Sequence, residues 1–132
     1  MKKFYLFLLF SFMYFHQINA QISTPQPADI TKFLSFKNDN YDMGKISNGK
    51  PIEFTVDVLN ISNSNITLDN VIVGCGCTTP KYIKGQVLTP GSHAIVTLGF
   101  NGAAIGPFSK SATLFFSGNL VKTISFHGVG VE

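Results

Sequence analysis

In the stretch "PIEFTVDVLN", residues 51–60, the apolar side chains Ile52, Phe54, Val56 and Val58 recur at every second position, with Glu53, Thr55, Asp57 and Leu59 between them. A period of two does not gather apolar groups on one face of a helix, whose side chains repeat every 3.6 residues; it gathers them on one face of a strand. The same alternation returns in Ala94, Val96, Leu98 and Phe100, in Ala112, Leu114 and Phe116, and in Leu120, Ile124 and Phe126. No convincing helical period interrupts it. The chain is therefore all-β, built of strands that each bury one face.

Turn chemistry falls between these runs. "SNGKP" precedes the first alternating strand and "NSN" separates the next two. In "TPGS", Pro90-Gly91 stand where a type II turn wants them, and "SGN" joins the last two strands as a tight hairpin. About seven short antiparallel strands with short connections predict a β-sandwich over residues 32–132, with a small closed barrel as the competing arrangement. Two distant cysteines and a core tryptophan, the hallmarks of immunoglobulin domains, are both missing, so the sandwich is Ig-like in architecture only. One irregularity is legible. Ile66 and Leu68 lie on one parity and Val71 and Val73 on the other, which predicts a bulge at Asp69-Asn70.

The first 31 residues follow other rules. Lys2 and Lys3 precede an apolar run from Phe4 to Phe15, and Ala20 offers a small residue for cleavage. This is the pattern of a cleavable signal peptide over residues 1–20, and the run is shorter than the roughly 20 apolar residues a spanning helix requires. The expected product is secreted or periplasmic, starts at Gln21, has no membrane span and carries no lipid-anchoring cysteine at the cleavage point. Residues 21–31, with two prolines, read as a flexible lead-in. Removing Lys2 and Lys3 from ten basic residues leaves eight lysines against seven acids, a net charge of +1. With no arginine to fork onto phosphates, nucleic acid is not an expected partner.

The only cysteines are Cys75 and Cys77 in "VIVGCGCTTPKY". If the preceding strand stays extended past Val73, both thiols simply continue its core stripe. A disulfide needs Cα atoms about 4.4–6.8 Å apart, and alternate residues of a strand sit at the far edge of that window. Closing the bridge requires a curl, for which Gly76 is the expected enabling residue. So short a loop contributes little, roughly 1.5 kcal/mol by chain entropy, so a bridge here reads as labile rather than as a staple. Two thiolates on one face would also suit Cu(I), while zinc would need further ligands from His93 and His127, neither at a fitting spacing. Met43 could add a thioether but reads as core, and each histidine reads as solvated or hydrogen-bonded. A redox enzyme normally places Cys-x-x-Cys at a helix start, and no helix follows here; Lys81 and Lys84 would lower a thiol pKa only modestly. Paired carboxylates, a phosphate-cradling loop and a nucleophile elbow are all missing from the sequence, so no catalytic, cofactor or metal residues are assigned. The sequons at Asn60 and Asn65 read as polar loop composition.

At "GCGCTTP" the chain resembles the bacterial domain of unknown function number fifteen seventy-three, exported proteins whose centre reads Cys-Gly-Cys-Thr. "YDMGKISNG", "VDVLNISNSNITLDNV", "LTPGSHAIVTLGFN", "GPFSKSATLFFSGN" and "ISFHGVGV" match in order, spanning about residues 33 to 131. Met43 stands where the family tends to have Phe. The resemblance implies an Ig-like module related to the Hydin and major-sperm-protein type, acting by binding or scaffolding rather than catalysis. Only Cys75 and Cys77 carry over, with their role open. The expected function is thus a non-enzymatic exported module that binds another envelope or extracellular protein, with exposed strand edges open to a partner strand. The alternative is a thiol-active protein, redox-sensing or Cu(I)-binding, that uses Cys75 and Cys77.

Overall fold

The protein is described by a computed structural model over residues 28–132. The expected signal peptide, residues 1–20, and residues 21–27 of the expected lead-in lie outside the described residues. The remainder of the expected lead-in runs into a single 3₁₀ turn, Ile30–Lys32, whose Thr31 amide donates to the Asp29 carboxylate. Nine strands follow: β1 (Leu34–Lys37), β2 (Asn40–Ser47), β3 (Ile52–Asn60), β4 (Ile66–Val73), β5 (Thr78–Lys81), β6 (Gln86–Leu88), β7 (His93–Phe100), β8 (Gly106–Phe116) and β9 (Leu120–Val131). They form a four-stranded sheet, β1-β3-β7-β5, packed on a five-stranded sheet, β2-β9-β8-β4-β6. This is the Ig-like sandwich the alternation requires, not a closed barrel.

The alternating residues fill the space between the sheets. Phe54, Val56, Val58, Ala94, Val96, Leu98, Phe100, Ala112, Leu114, Phe116, Ile124 and Phe126 are all buried. Each large side chain among them contributes about 1.5–3 kcal/mol on leaving water. Aromatic rings stitch one sheet to the other. Tyr41 stacks on Phe54 at 4.6 Å, Phe54 meets Phe126 at 5.3 Å, Phe126 meets Phe100 at 5.8 Å, and Phe100 stacks on Phe108 at 5.0 Å. Because β2, β9 and β8 belong to one sheet and β3 and β7 to the other, the rings interlock like a zipper.

The turns form as their residues demand. Ser92 N–H donates to Thr89 O at 2.9 Å, and Gly91 takes φ +80°, the left-handed conformation a type II turn needs after Pro90. The register of β4 against β8 slips between Leu68 and Asn70, the bulge anticipated from the parity switch.

Two features differ from the expected seven antiparallel strands. The strand number is nine because β5 and β6, of four and three residues, are too short to show alternation. In addition, the segment before the first alternating strand is divided between the two sheets. The chain leaves the four-stranded sheet after Lys37, turns through Asn38 at φ +64°, and joins the five-stranded sheet as β2. There it pairs parallel with β9, Asn40 opposite Ser125 through Ser47 opposite Val131, with an irregularity between Asp42 and Lys45. Parallel and antiparallel neighbours bury the same face, so the apolar pattern cannot tell them apart.

Candidate functional site

Strand β4 ends at Val73 in the five-stranded sheet, and β5 begins at Thr78 in the four-stranded sheet. Gly74-Cys75-Gly76-Cys77 is therefore the corner where the chain passes from one sheet to the other. It is not an extended continuation of β4, so the two thiols do not both prolong the core stripe: Cys77 packs against the core and Cys75 does not. The curl brings the Cα atoms to 5.3 Å, inside the disulfide window, and the sulfurs meet as a Cys75–Cys77 disulfide. Both cysteines are half-buried and Gly76 is exposed.

Gly76 does not play the part expected of it. It is not among the residues with positive φ, and a Cβ built on it would meet nothing within 4 Å. The curl is set instead by the backbone around it. Gly74 N–H donates to Ser111 O at 3.4 Å, Thr78 N–H to Cys75 O at 3.4 Å, and Asn101 N–H to Cys77 O at 2.9 Å. Both ends of the corner are thus tied to strands of different sheets.

Thr78 is the residue that sequence reading missed. Its side chain is buried, and its hydroxyl lies 3.8 Å from the sulfur of Cys75 and 3.8 Å from that of Cys77. Bridged sulfurs carry no hydrogen, so the hydroxyl is the donor in either contact. The Cys-Gly-Cys-Thr spelling was the available signal, because the residue after the second cysteine is the first to re-enter a sheet. Beside Cys77 a groove of about 270 Å³ runs over the outer face of the four-stranded sheet, past Gly99, Thr79, Glu53 and Lys81. Lys81 Nζ and Glu53 Oε1 close across it at 2.5 Å, which leaves Lys81 occupied as an ion-pair partner.

The other residues considered as ligands are dispersed. His93 Nδ1 lies 2.7 Å from Asp57 Oδ1 on the same outer face, and His127 Nε2 is 3.8 Å from Asp42 Oδ1 on the other sheet. Met43 is buried in the core. Among the described residues, no three His, Cys, Asp or Glu side chains converge as a metal site.

The two outer faces differ in chemistry. The four-stranded sheet carries the Glu53–Lys81 and Asp57–His93 pairs. On the five-stranded sheet the outward rows read Asn40, Ser125 and Ser111; Ile72, Thr113 and Thr123; Asn70, Phe115 and Val121; then Thr67 and Val87. These rows are neutral, while Asp69 stands exposed at the β4 bulge beside them and the Asp42–His127 pair and Lys45 lie towards the β2 edge of the same sheet. Ile72, Val87 and Val121 are 52%, 53% and 44% exposed.

Comparison with known proteins places this geometry. The family described as "Protein of unknown function (DUF1573)" matches residues 34–129. No curated protein matches the sequence. Among solved structures, a protein of unknown function from Porphyromonas gingivalis superposes with a TM-score of 0.63 at 11% identity, over 80% of this chain and 51% of its own. The secreted serine protease VesC from Vibrio cholerae gives 0.61 at 17% identity, over 79% of this chain and 24% of the protease. The ASH/PapD-like domain 7 of human CEP192 gives 0.60 at 10% identity, over 82% of this chain and 92% of the domain. The chain thus spans about half or less of the first two, and at these identities the likeness is one of fold. Among the described residues no helix is long and apolar enough to cross a membrane.

Proposed function

This chain belongs to the DUF1573 family of proteins of unknown function, and from that premise we propose that it is an exported, non-catalytic Ig-like module that binds another envelope or extracellular protein. The observation that carries the reading is the neutral patch on the outer face of the five-stranded sheet, away from the Asp42–His127 pair and Lys45. Rows of Ser, Thr and Asn surround Ile72, Phe115, Val121 and Val87, so this patch can be covered with few charges to desolvate, Asp69 at the bulge among them. Apolar side chains rimmed by neutral hydroxyls resemble the composition of a protein-binding surface. The opposite sheet face, with its ion pairs, would have to lose the water around those charges to be covered. The short edge strand β6 borders this neutral patch and offers main-chain groups to an extended partner segment.

The test is affinity capture from envelope extract with the wild-type protein and with the double variant Ile72→Lys, Val121→Lys. Both positions are exposed, so the variant should keep its Tm within a few degrees of wild type. The expected result is a captured envelope protein that the variant loses. A wild-type protein that captures nothing, or a variant that captures the same protein equally well, overturns the proposal.

A further inference from the structure

The Cys75–Cys77 corner combines four properties that a structural staple does not need. The bridge spans a single residue, so it restrains the unfolded chain less than a bond closing any longer loop would. It joins neighbours along the chain rather than two strands, and the corner is already tied to both sheets by the amides of Gly74 and Asn101. Both cysteines are only half-buried, and Gly76 and Cys77 line a surface groove, so the bond can be approached from solvent. The buried Thr78 hydroxyl stands 3.8 Å from each sulfur, where it can donate to a thiolate on either one.

We propose that Cys75–Cys77 is a thiol-exchange site that accepts two electrons from a dithiol, with Thr78 as the residue that positions a proton donor at the leaving sulfur. Cys77 lines the groove beside Gly99 and Thr79, so the incoming thiolate attacks Cys77 Sγ. A new S–S bond forms between the two as the Cys75–Cys77 bond breaks, and its electron pair leaves on Cys75 as a thiolate. Thr78 donates a hydrogen bond to that thiolate. The second thiolate of the dithiol then attacks its own bridged sulfur and expels Cys77. The dithiol ends as a cyclic disulfide, and the protein holds two thiols. Exchange rate depends on how well the leaving thiolate is stabilised, which is the contribution assigned to Thr78. The site is independent of the protein-binding face on the other sheet.

The test uses the full chain purified in air and treated with dithiothreitol over a range of concentrations. Thiols are alkylated and counted by intact mass, and circular dichroism is recorded at each point. The expected result is two thiols appearing together while the dichroism stays native. Thr78→Val should slow the exchange about tenfold, the effect of one lost hydrogen bond to a charged sulfur, and Thr78→Ser should restore it. The lone thiol of Cys75→Ser should form a mixed disulfide with oxidised glutathione faster than that of Cys77→Ser. Thiols that appear only as the dichroism collapses make the bridge a staple and overturn the proposal. Free thiols in the air-purified protein overturn it as well. A Thr78→Val protein exchanging at the wild-type rate removes Thr78 from the step, and faster trapping at Cys75 reverses the assigned direction of attack.

Discussion

The side-chain amide of Asn60, at the end of β3, donates to the carbonyl of Leu88, at the end of β6, at 2.8 Å across a separation of 28 residues. Asn60 is fully buried, and the rest of its amide is occupied too. It donates to Ser64 O at 2.7 Å and accepts from the backbone and hydroxyl of Ser62 at 2.9 and 2.7 Å. One side chain therefore ties a strand of the four-stranded sheet, the following loop and an edge strand of the five-stranded sheet. It also makes the Asn60 sequon inaccessible, whereas Asn65 is exposed.

Asn60→Leu should destabilise the protein by about 2–4 kcal/mol, because the Leu88 and Ser64 carbonyls lose their donor while Ser62 loses its acceptor. Asn60→Asp should cost a similar amount, since a carboxylate has no hydrogen for either carbonyl. Urea unfolding midpoints at unchanged m-value would measure both.

Glycine placement gives a paired prediction. A Cβ on Gly130 would lie 1.8 Å from Ala104 O, inside a backbone segment with no flexible end to yield, whereas one on Gly76 would touch nothing. Gly130→Ala should cost more than about 3 kcal/mol or prevent folding, and Gly76→Ala should stay within about 0.5 kcal/mol. Thermal unfolding of the two purified variants, with soluble yield as the fallback for the first, separates them.

Lys122 turns inward on β9, where its neighbours on that face, Leu120 and Ile124, are buried. Its Nζ sits 5.2 Å from the centre of the Phe36 ring and 2.8 Å from Asp39 Oδ2, covering the gap left where β1 ends and β2 switches sheets. Lys122→Ala should cost about 1 kcal/mol through lost stem packing and cation–π contact, and Lys122→Met should recover part of it. The wild type should lose more stability than either variant as salt rises, since it alone has the Lys122–Asp39 pair to be screened while the other ion pairs are common to all three; denaturation at low and high ionic strength reads the difference.

Pro80 lies in the edge strand β5 opposite Leu98. Asn101 donates to Cys77 directly across the pair, so odd-numbered residues of β5 bond to β7 and even-numbered ones face the open edge. Pro80 thereby removes a donor from that edge, a guard against strand addition. Pro80→Thr should leave the Tm within a few degrees and produce concentration-dependent self-association, visible by light scattering coupled to size exclusion.

The sequence alone determined the local layer of this protein. Alternation in four segments identified the residues that became the core, Pro90-Gly91 set its turn, and the parity switch at Asp69-Asn70 marked a real bulge. These depend on neighbours two to four residues apart, which a linear pattern records. The tertiary structure alone decided which segments became neighbours. The parallel seat of β2 beside β9, the buried amide of Asn60, the inward Lys122 and the neutral patch gathered on one outer face all depend on pairings across tens of residues. Any strand with one apolar face could satisfy its own burial in several such arrangements. The cysteine corner stands between the two layers. Its residues were conspicuous in the chain, but that they turn between the sheets, with Thr78 beneath both sulfurs, follows only from where β4 ends and β5 begins.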